Sequence, residues 1–115
     1  MSDNFEKDWK LLEKKLQERF GKIPSVESIL FLIGLQETGF IDKKLSKEEK
    51  QDVMHIAVCT VLSPSGYFIF EKKDEDGWAH FKTLKPLPLL NLNEQEHLLK
   101  EHILLYFKQL NFAAE

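Results

Sequence analysis

Large apolar residues recur every three or four positions near the start of the chain, and charged residues fill most of the gaps between them. This spacing predicts an amphipathic helix over residues 4–20, and Gly21 suits the left-handed conformation that closes a helix. We expect the apolar stripe to dock on the protein's own core. The stripe consists of Phe5, Trp9, Leu12, Leu16 and Phe20.

The next segment is apolar on nearly every side rather than along one stripe. Pro24 and Ser25 predict the start of a second helix, with Ser25 as its N-cap. This helix should end near Glu37, before Gly39. A helix with no polar face is either central in a fold or covered by another chain. Gly34 would allow a neighbouring helix to cross it closely.

A third helix is predicted from Lys47 to Leu62, because Ser46 and Glu49 form the sequence signature of a capping box. At about 100° per residue, the two sides of this helix differ in character. Its core side should hold Val53, Met54, Ala57 and Val61. A narrow stripe on the opposite side holds Glu48, Asp52, His55 and Cys59. This stripe is a candidate site, and the helical wheel places it away from the main core.

Two segments rich in aromatic residues flank the sequence Asp-Glu-Asp-Gly and predict a β-hairpin. The strands are expected over residues 67–73 and 78–84. Because side chains alternate between the faces of a strand, Phe68 and Phe70 should share the core side with Phe81. The other face should be a mixed surface that holds Tyr67, Ile69, Glu71, Trp78, His80 and Lys82.

Residues 85–92 read as an extended connector, because two prolines hold the backbone away from helical geometry. We expect a strap that lays Leu87, Leu89 and Leu90 across the core. The alternating Pro–Leu pattern also suits a ligand of a proline-recognition domain. Asn93 and Glu96 then predict the cap of a last helix, which runs to about Asn111.

These elements make an α+β fold that is mainly α: three helices, a two-stranded antiparallel β-hairpin and a C-terminal helix, in the order α-α-α-β-β-α. A chain of 115 residues has the length of one domain, so we expect residues 1–115 to form a single domain. Its 43% hydrophobic and 30% charged residues are typical of globular proteins and argue against disorder.

The net charge of −3 is spread over finely mixed acidic and basic residues. Nucleic-acid binding needs clustered Lys and Arg, so we expect no nucleic-acid partner. The first ten residues lack the apolar core of a signal peptide, and the most apolar run, residues 29–35, is too short to span a bilayer. The one cysteine cannot form an internal disulfide. Together these features predict a cytoplasmic protein without a membrane partner.

The pair His55 and Cys59 carries the most concrete chemistry in the sequence. An imidazole and a thiolate four residues apart on a helix can bind one Zn²⁺, with Asp52 or Glu48 as a further oxygen ligand. A zinc site needs at least three protein ligands, and no second pair has a spacing that points here. A cysteine nucleophile is also disfavoured, because Cys59 lies in the C-terminal half of its helix, where the helix dipole opposes a thiolate.

No catalytic set, phosphate loop or cofactor motif is assembled in the sequence, so we expect no cofactor and no catalytic residues. The leading hypothesis is a protein-binding or self-associating accessory module, with a homodimer as one form. Its candidate interaction surface is the mixed hairpin face, at Tyr67, Ile69, Trp78 and His80. Two alternatives stay open: a metal-binding protein or small enzyme centred on His55 and Cys59, and a small-ligand binding domain.

Overall fold

The computed structural model describes residues 2–40 and 43–110. In this part of the chain it contains four helices and a two-stranded antiparallel sheet, in the order α-α-α-β-β-α, which confirms the predicted fold class. The elements are α1 (Ser2–Phe20), α2 (Val26–Thr38), α3 (Lys47–Leu62), a short 3-10 turn (Ser63–Ser65), β1 (Phe68–Lys73), β2 (Ala79–Thr83) and α4 (Leu92–Gln109).

Contacts divide the chain into two compact units. Residues 27–89 form one unit, which holds nearly all of α2 together with α3, β1 and β2. The other unit contains α1 and α4, from the two ends of the described chain. That residues 1–115 form a single domain therefore stays a prediction.

In the unit of α1 and α4, the two helices pack against each other along the predicted apolar stripe of α1. Trp9, Leu12 and Leu16 are buried, whereas Phe20 at the helix end is half exposed. Lys108 bridges the helices at their surface, since its Nζ lies 3.0 Å from Oδ2 of Asp8. The amphipathic pattern of residues 4–20 is thus confirmed, except at its last position.

In the unit of residues 27–89, α2 approaches α3 at Gly34. A Cβ atom placed on Gly34 would lie 2.6 Å from Cγ1 of Val53 and would overlap its carbonyl oxygen. Only a residue without a side chain permits this approach. The close crossing predicted at Gly34 is confirmed, and α3 is its partner.

The capping box predicted for α3 is present. The backbone N–H of Glu49 donates to Oγ of Ser46 over 3.1 Å, and that of Ser46 donates to Oε1 of Glu49 over 2.9 Å. These two bonds satisfy amide groups that have no partner inside a helix. They fix the start of α3 at Lys47, where it was predicted.

The hairpin pairs Phe68 with Thr83, Ile69 with Lys82, and Phe70 with Phe81. The register then shifts between Phe70 and Lys72, so that Lys72 lies opposite His80. Paired residues share a face of a sheet, so the structure confirms that Phe70 shares one face with Phe81 and that Ile69 shares the other with Lys82. Glu71 and Trp78, also predicted on the mixed face, lie outside the paired positions. The shift adds Lys72 to the mixed face that holds Ile69 and His80.

Three predictions about the second half of the chain, two on packing and one on a helix cap, are wrong in whole or in part. Phe70, expected in the core, is 51% exposed. The predicted strap across the core is wrong for Leu87, which is 44% exposed, and for Leu89, which is fully exposed, whereas Leu90 is half-buried. The last helix is capped by Asn91 and Glu94, which exchange hydrogen bonds of 2.8 Å and 3.0 Å, rather than by the pair two residues later, Asn93 and Glu96.

Candidate functional site

Two of the four candidate site residues on α3, His55 and Cys59, are in contact with each other. Sγ of Cys59 is 3.5 Å from Nε2 of His55, one helical turn before it. His55 is exposed, but Cys59 is completely buried. The prediction that Cys59 lies away from the core is therefore wrong. The buried residues of α3 are spread over more than one face of the helix. They are Val53, Ile56, Ala57, Cys59, Val61 and Leu62.

Burial controls the chemistry of Cys59. Removing the sulfur from water disfavours its charged form and raises the pKa of the thiol to about 11. At neutral pH roughly one thiol in ten thousand would then be ionised, and the thiolate is the nucleophile and the metal ligand. The geometry thus brings His55 and Cys59 together without activating the sulfur.

The other two members of the predicted stripe do not join this pair. Asp52 and Glu48 are exposed, and within residues 4–40 and 43–110 neither forms a hydrogen bond or ion pair with His55. Among the described residues, no group of three or more His, Cys, Asp or Glu side chains is placed to hold a metal ion. What the structure brings together here is a two-residue contact.

The residues of the candidate interaction surface on the hairpin differ in how much of each side chain is exposed and in what it contacts. Trp78 is half-buried, and its ring meets that of Phe40 edge-on with 4.8 Å between centroids. Tyr67 is half-buried, and the ammonium group of Lys85 lies 4.5 Å from its ring centroid. Ile69 is 50% exposed, although it and both of its neighbours in β1 are paired with residues of β2.

His80, the fourth residue of this surface, is tied to the hairpin turn by Asp74. Its Nε2 lies 2.9 Å from Oδ2 of Asp74, while the other carboxylate oxygen accepts the backbone N–H groups of Asp76 and Trp78. These bonds lower the pKa of Asp74, with the His80 contact as the largest cause. The predicted hairpin turn is therefore organised by one carboxylate.

Sequence reasoning missed most of the exposed apolar residues in this region. They are Ile69, Phe70, Leu84, Leu87 and Leu89, which we call the hairpin–connector surface. Each has at least 44% of its area exposed, and Leu89 has all of it. The alternation of the strand identified Ile69 alone. Two prolines in the connector signalled an extended backbone but could not reveal which way its leucines face.

The outer edge of β1 adds hydrogen-bonding groups to this surface. The N–H of Leu84 donates to the carbonyl of Tyr67 over 2.9 Å, which makes these two residues a hydrogen-bonded pair. Such pairs alternate with non-bonded pairs along an antiparallel ladder. The backbone groups of Phe68 and Phe70 therefore point away from β2. In the described part of the chain the sheet has two strands, so none of its strands covers this edge.

No helix among the described residues is long and apolar enough to cross a membrane. Comparison with known proteins gives no match: no family model, no curated protein and no solved structure is similar to the chain.

Proposed function

We propose that this protein works by binding protein, and that the hairpin–connector surface makes the contact. The observation that carries the proposal is the exposure of five large apolar side chains between Ile69 and Leu89. Single exposed apolar residues are ordinary, whereas their concentration in one short segment is typical of interaction sites.

Backbone geometry supports the same conclusion. An exposed strand edge offers N–H and C=O groups to an incoming strand, and the neighbouring side chains supply specificity. The edge of β1 lies between Ile69 on one face and Phe70 on the other, both half exposed. A strand added here would cover apolar area on both faces while it satisfied the free backbone groups.

We also propose that the protein is cytoplasmic and that it binds no nucleic acid, membrane or cofactor. The finely mixed charges, with a net charge of −3, support the exclusion of nucleic acid. The single, buried cysteine needs no oxidising compartment, since it has no internal partner for a disulfide.

Photo-crosslinking in the cells from which the chain comes tests the proposal. Benzoylphenylalanine is placed at Phe70 or Leu89, and at Leu11 as a control, because Leu11 is 46% exposed on α1. We expect discrete protein adducts from the two hairpin–connector positions and not from the control. Equal adducts from all three positions, or none from Phe70 and Leu89, would contradict the proposal.

A further inference from the structure

A second copy of this chain is the occupant that best fits the open edge of β1. We infer that two copies pair β1 against β1 in antiparallel fashion, with Ile69 next to the two-fold axis, to form one four-stranded sheet. This inference rests on the proposed function, whose partner it names. It is carried by the hydrogen-bonding pattern of β1 and by the charges at its two ends.

The pattern of free backbone groups selects the register. Phe68 and Phe70 are the residues of regular β1 whose N–H and C=O groups point outward, as the Tyr67–Leu84 bond requires. Pairing Phe68 with Phe70 of a second copy lets each of the two symmetry-related pairs exchange two N–H···O=C bonds. Ile69 then lies opposite Ile69 of the second copy, as a non-bonded pair.

The two neighbouring symmetric registers are poorer. An axis at Phe68 would place Phe70 opposite Gly66, where the chain has left the strand with φ at +83°. An axis at Phe70 would pair Phe68 with Lys72, beyond the register shift that interrupts the strand. The axis at Ile69 alone uses both outward-facing residues within the regular part of β1.

This register also brings opposite charges together. It places Glu71 of one copy beside Tyr67 of the other, and the Lys85 ammonium lies 4.5 Å from that tyrosine ring. Glu71 is exposed, and in residues 4–40 and 43–110 it has no ion pair. Because the dimer is two-fold symmetric, the Glu71–Lys85 contact occurs twice. A partner of unrelated sequence would have to supply both charges itself.

Pairing would also cover apolar area that is now open to water. Ile69 and Phe70 are 50% and 51% exposed, and they lie on opposite faces of β1. At the axis, the two Ile69 side chains contact each other across the non-bonded pair, where side chains approach most closely.

A cysteine at the axis provides a direct test of the register. Cα atoms in a non-bonded antiparallel pair lie about 4.5 Å apart, within the range that a disulfide bridges. Purified Ile69→Cys protein, oxidised with glutathione disulfide, should form a covalent dimer. Lys82→Cys is the matched control, because it lies on the same face but roughly 14 Å, or three strand spacings, from its symmetry mate. The buried Cys59 is present in both variants.

Charge reversal tests the ion pair by sedimentation equilibrium of the reduced proteins. Glu71→Lys and Lys85→Glu should each weaken dimerisation about tenfold, an effect on the scale of two exposed ion pairs, and the double variant should restore it. Rapid disulfide formation at Ile69→Cys alone, together with this rescue, supports the inference. If the protein dimerises but Lys82→Cys crosslinks as fast as Ile69→Cys, the proposed register is wrong. A monomer at every concentration overturns the inference. The proposed function fails separately, if crosslinking in cells gives no adduct at Phe70 and Leu89 or equal adducts at the Leu11 control.

Discussion

Nε2 of His80 lies 2.9 Å from Oδ2 of Asp74, and Oδ1 of the same carboxylate accepts two backbone N–H groups of the turn. One aspartate therefore closes the hairpin and orients a residue of its mixed face. This arrangement links the conformation of the turn to the charge of Asp74.

The turn should loosen in acid. The pKa of Asp74 is lowered below its ordinary value of 3.8, first by the His80 hydrogen bond and then by the backbone bonds. A group with a lowered pKa stabilises the fold above its unfolded pKa, and this contribution is lost as pH falls through the folded pKa. We expect the amide proton shifts of Asp76 and Trp78 to titrate together, with a midpoint below 3.8.

The variant Asp74→Asn serves as the control for this titration, because it keeps an oxygen acceptor and removes the charge. Its Asp76 and Trp78 amides should show no common transition in the same range. A midpoint at or above the ordinary aspartate value in the unmodified protein would contradict the proposed role of Asp74.

The thiol of Cys59 should react slowly. Burial raises its pKa to about 11, so the fraction of thiolate should rise steadily between pH 7 and 9 without a plateau. The rate of reaction with a disulfide reagent measures this, and urea-unfolded protein gives the rate of the exposed thiol. A native rate equal to the unfolded rate, or a plateau near neutral pH, would revive the enzyme alternative centred on His55 and Cys59.

Cys59 also shows why this part of the site could not be predicted. A helical wheel assumes that a helix has one buried face, and on that basis Cys59 grouped with exposed Asp52 and His55. In the structure α3 carries buried residues around most of its circumference, including Ile56 and Cys59. The Ser46 capping box, a local feature, predicted where α3 begins, and periodicity predicted which of its residues face the core. It could not predict how many neighbours α3 has.

The connector shows the same limit, because here residues that were expected to be buried are exposed. The prolines predicted an extended backbone for residues 85–92, and the chain from Leu84 to Asn91 is indeed free of helix and strand. Because apolar composition favours burial, Leu87 and Leu89 were expected inside. They are exposed, and nothing in the local sequence distinguishes a leucine that packs in the core from one that stays exposed to solvent.

Replacing Gly34 should destabilise the unit of residues 27–89. In Gly34→Ala, the new methyl group would overlap the backbone of Val53 on α3, so the two helices must move apart. We expect a loss of about 1–3 kcal/mol in the free energy of unfolding, which is typical of overpacking. Urea denaturation measures this, with Gln36→Ala on the exposed side of α2 as control. A stability gain, as alanine normally gives in a helix, would contradict the close crossing.

Substitutions at Asn91 and Asn93, about half a helical turn apart, can show which of the two residues caps α4. Oδ1 of Asn91 accepts the N–H of Glu94 over 2.8 Å, whereas Asn93 lies inside the first turn of the helix. Asn91→Ala should therefore lower the free energy of unfolding by about 1 kcal/mol, because it leaves a helix N-terminal amide without its partner. Asn93→Ala should change it by less than about 0.5 kcal/mol, as for an ordinary surface substitution. Thermal or urea unfolding compares the two, and a larger loss for Asn93→Ala would restore the start of the helix that the sequence predicted.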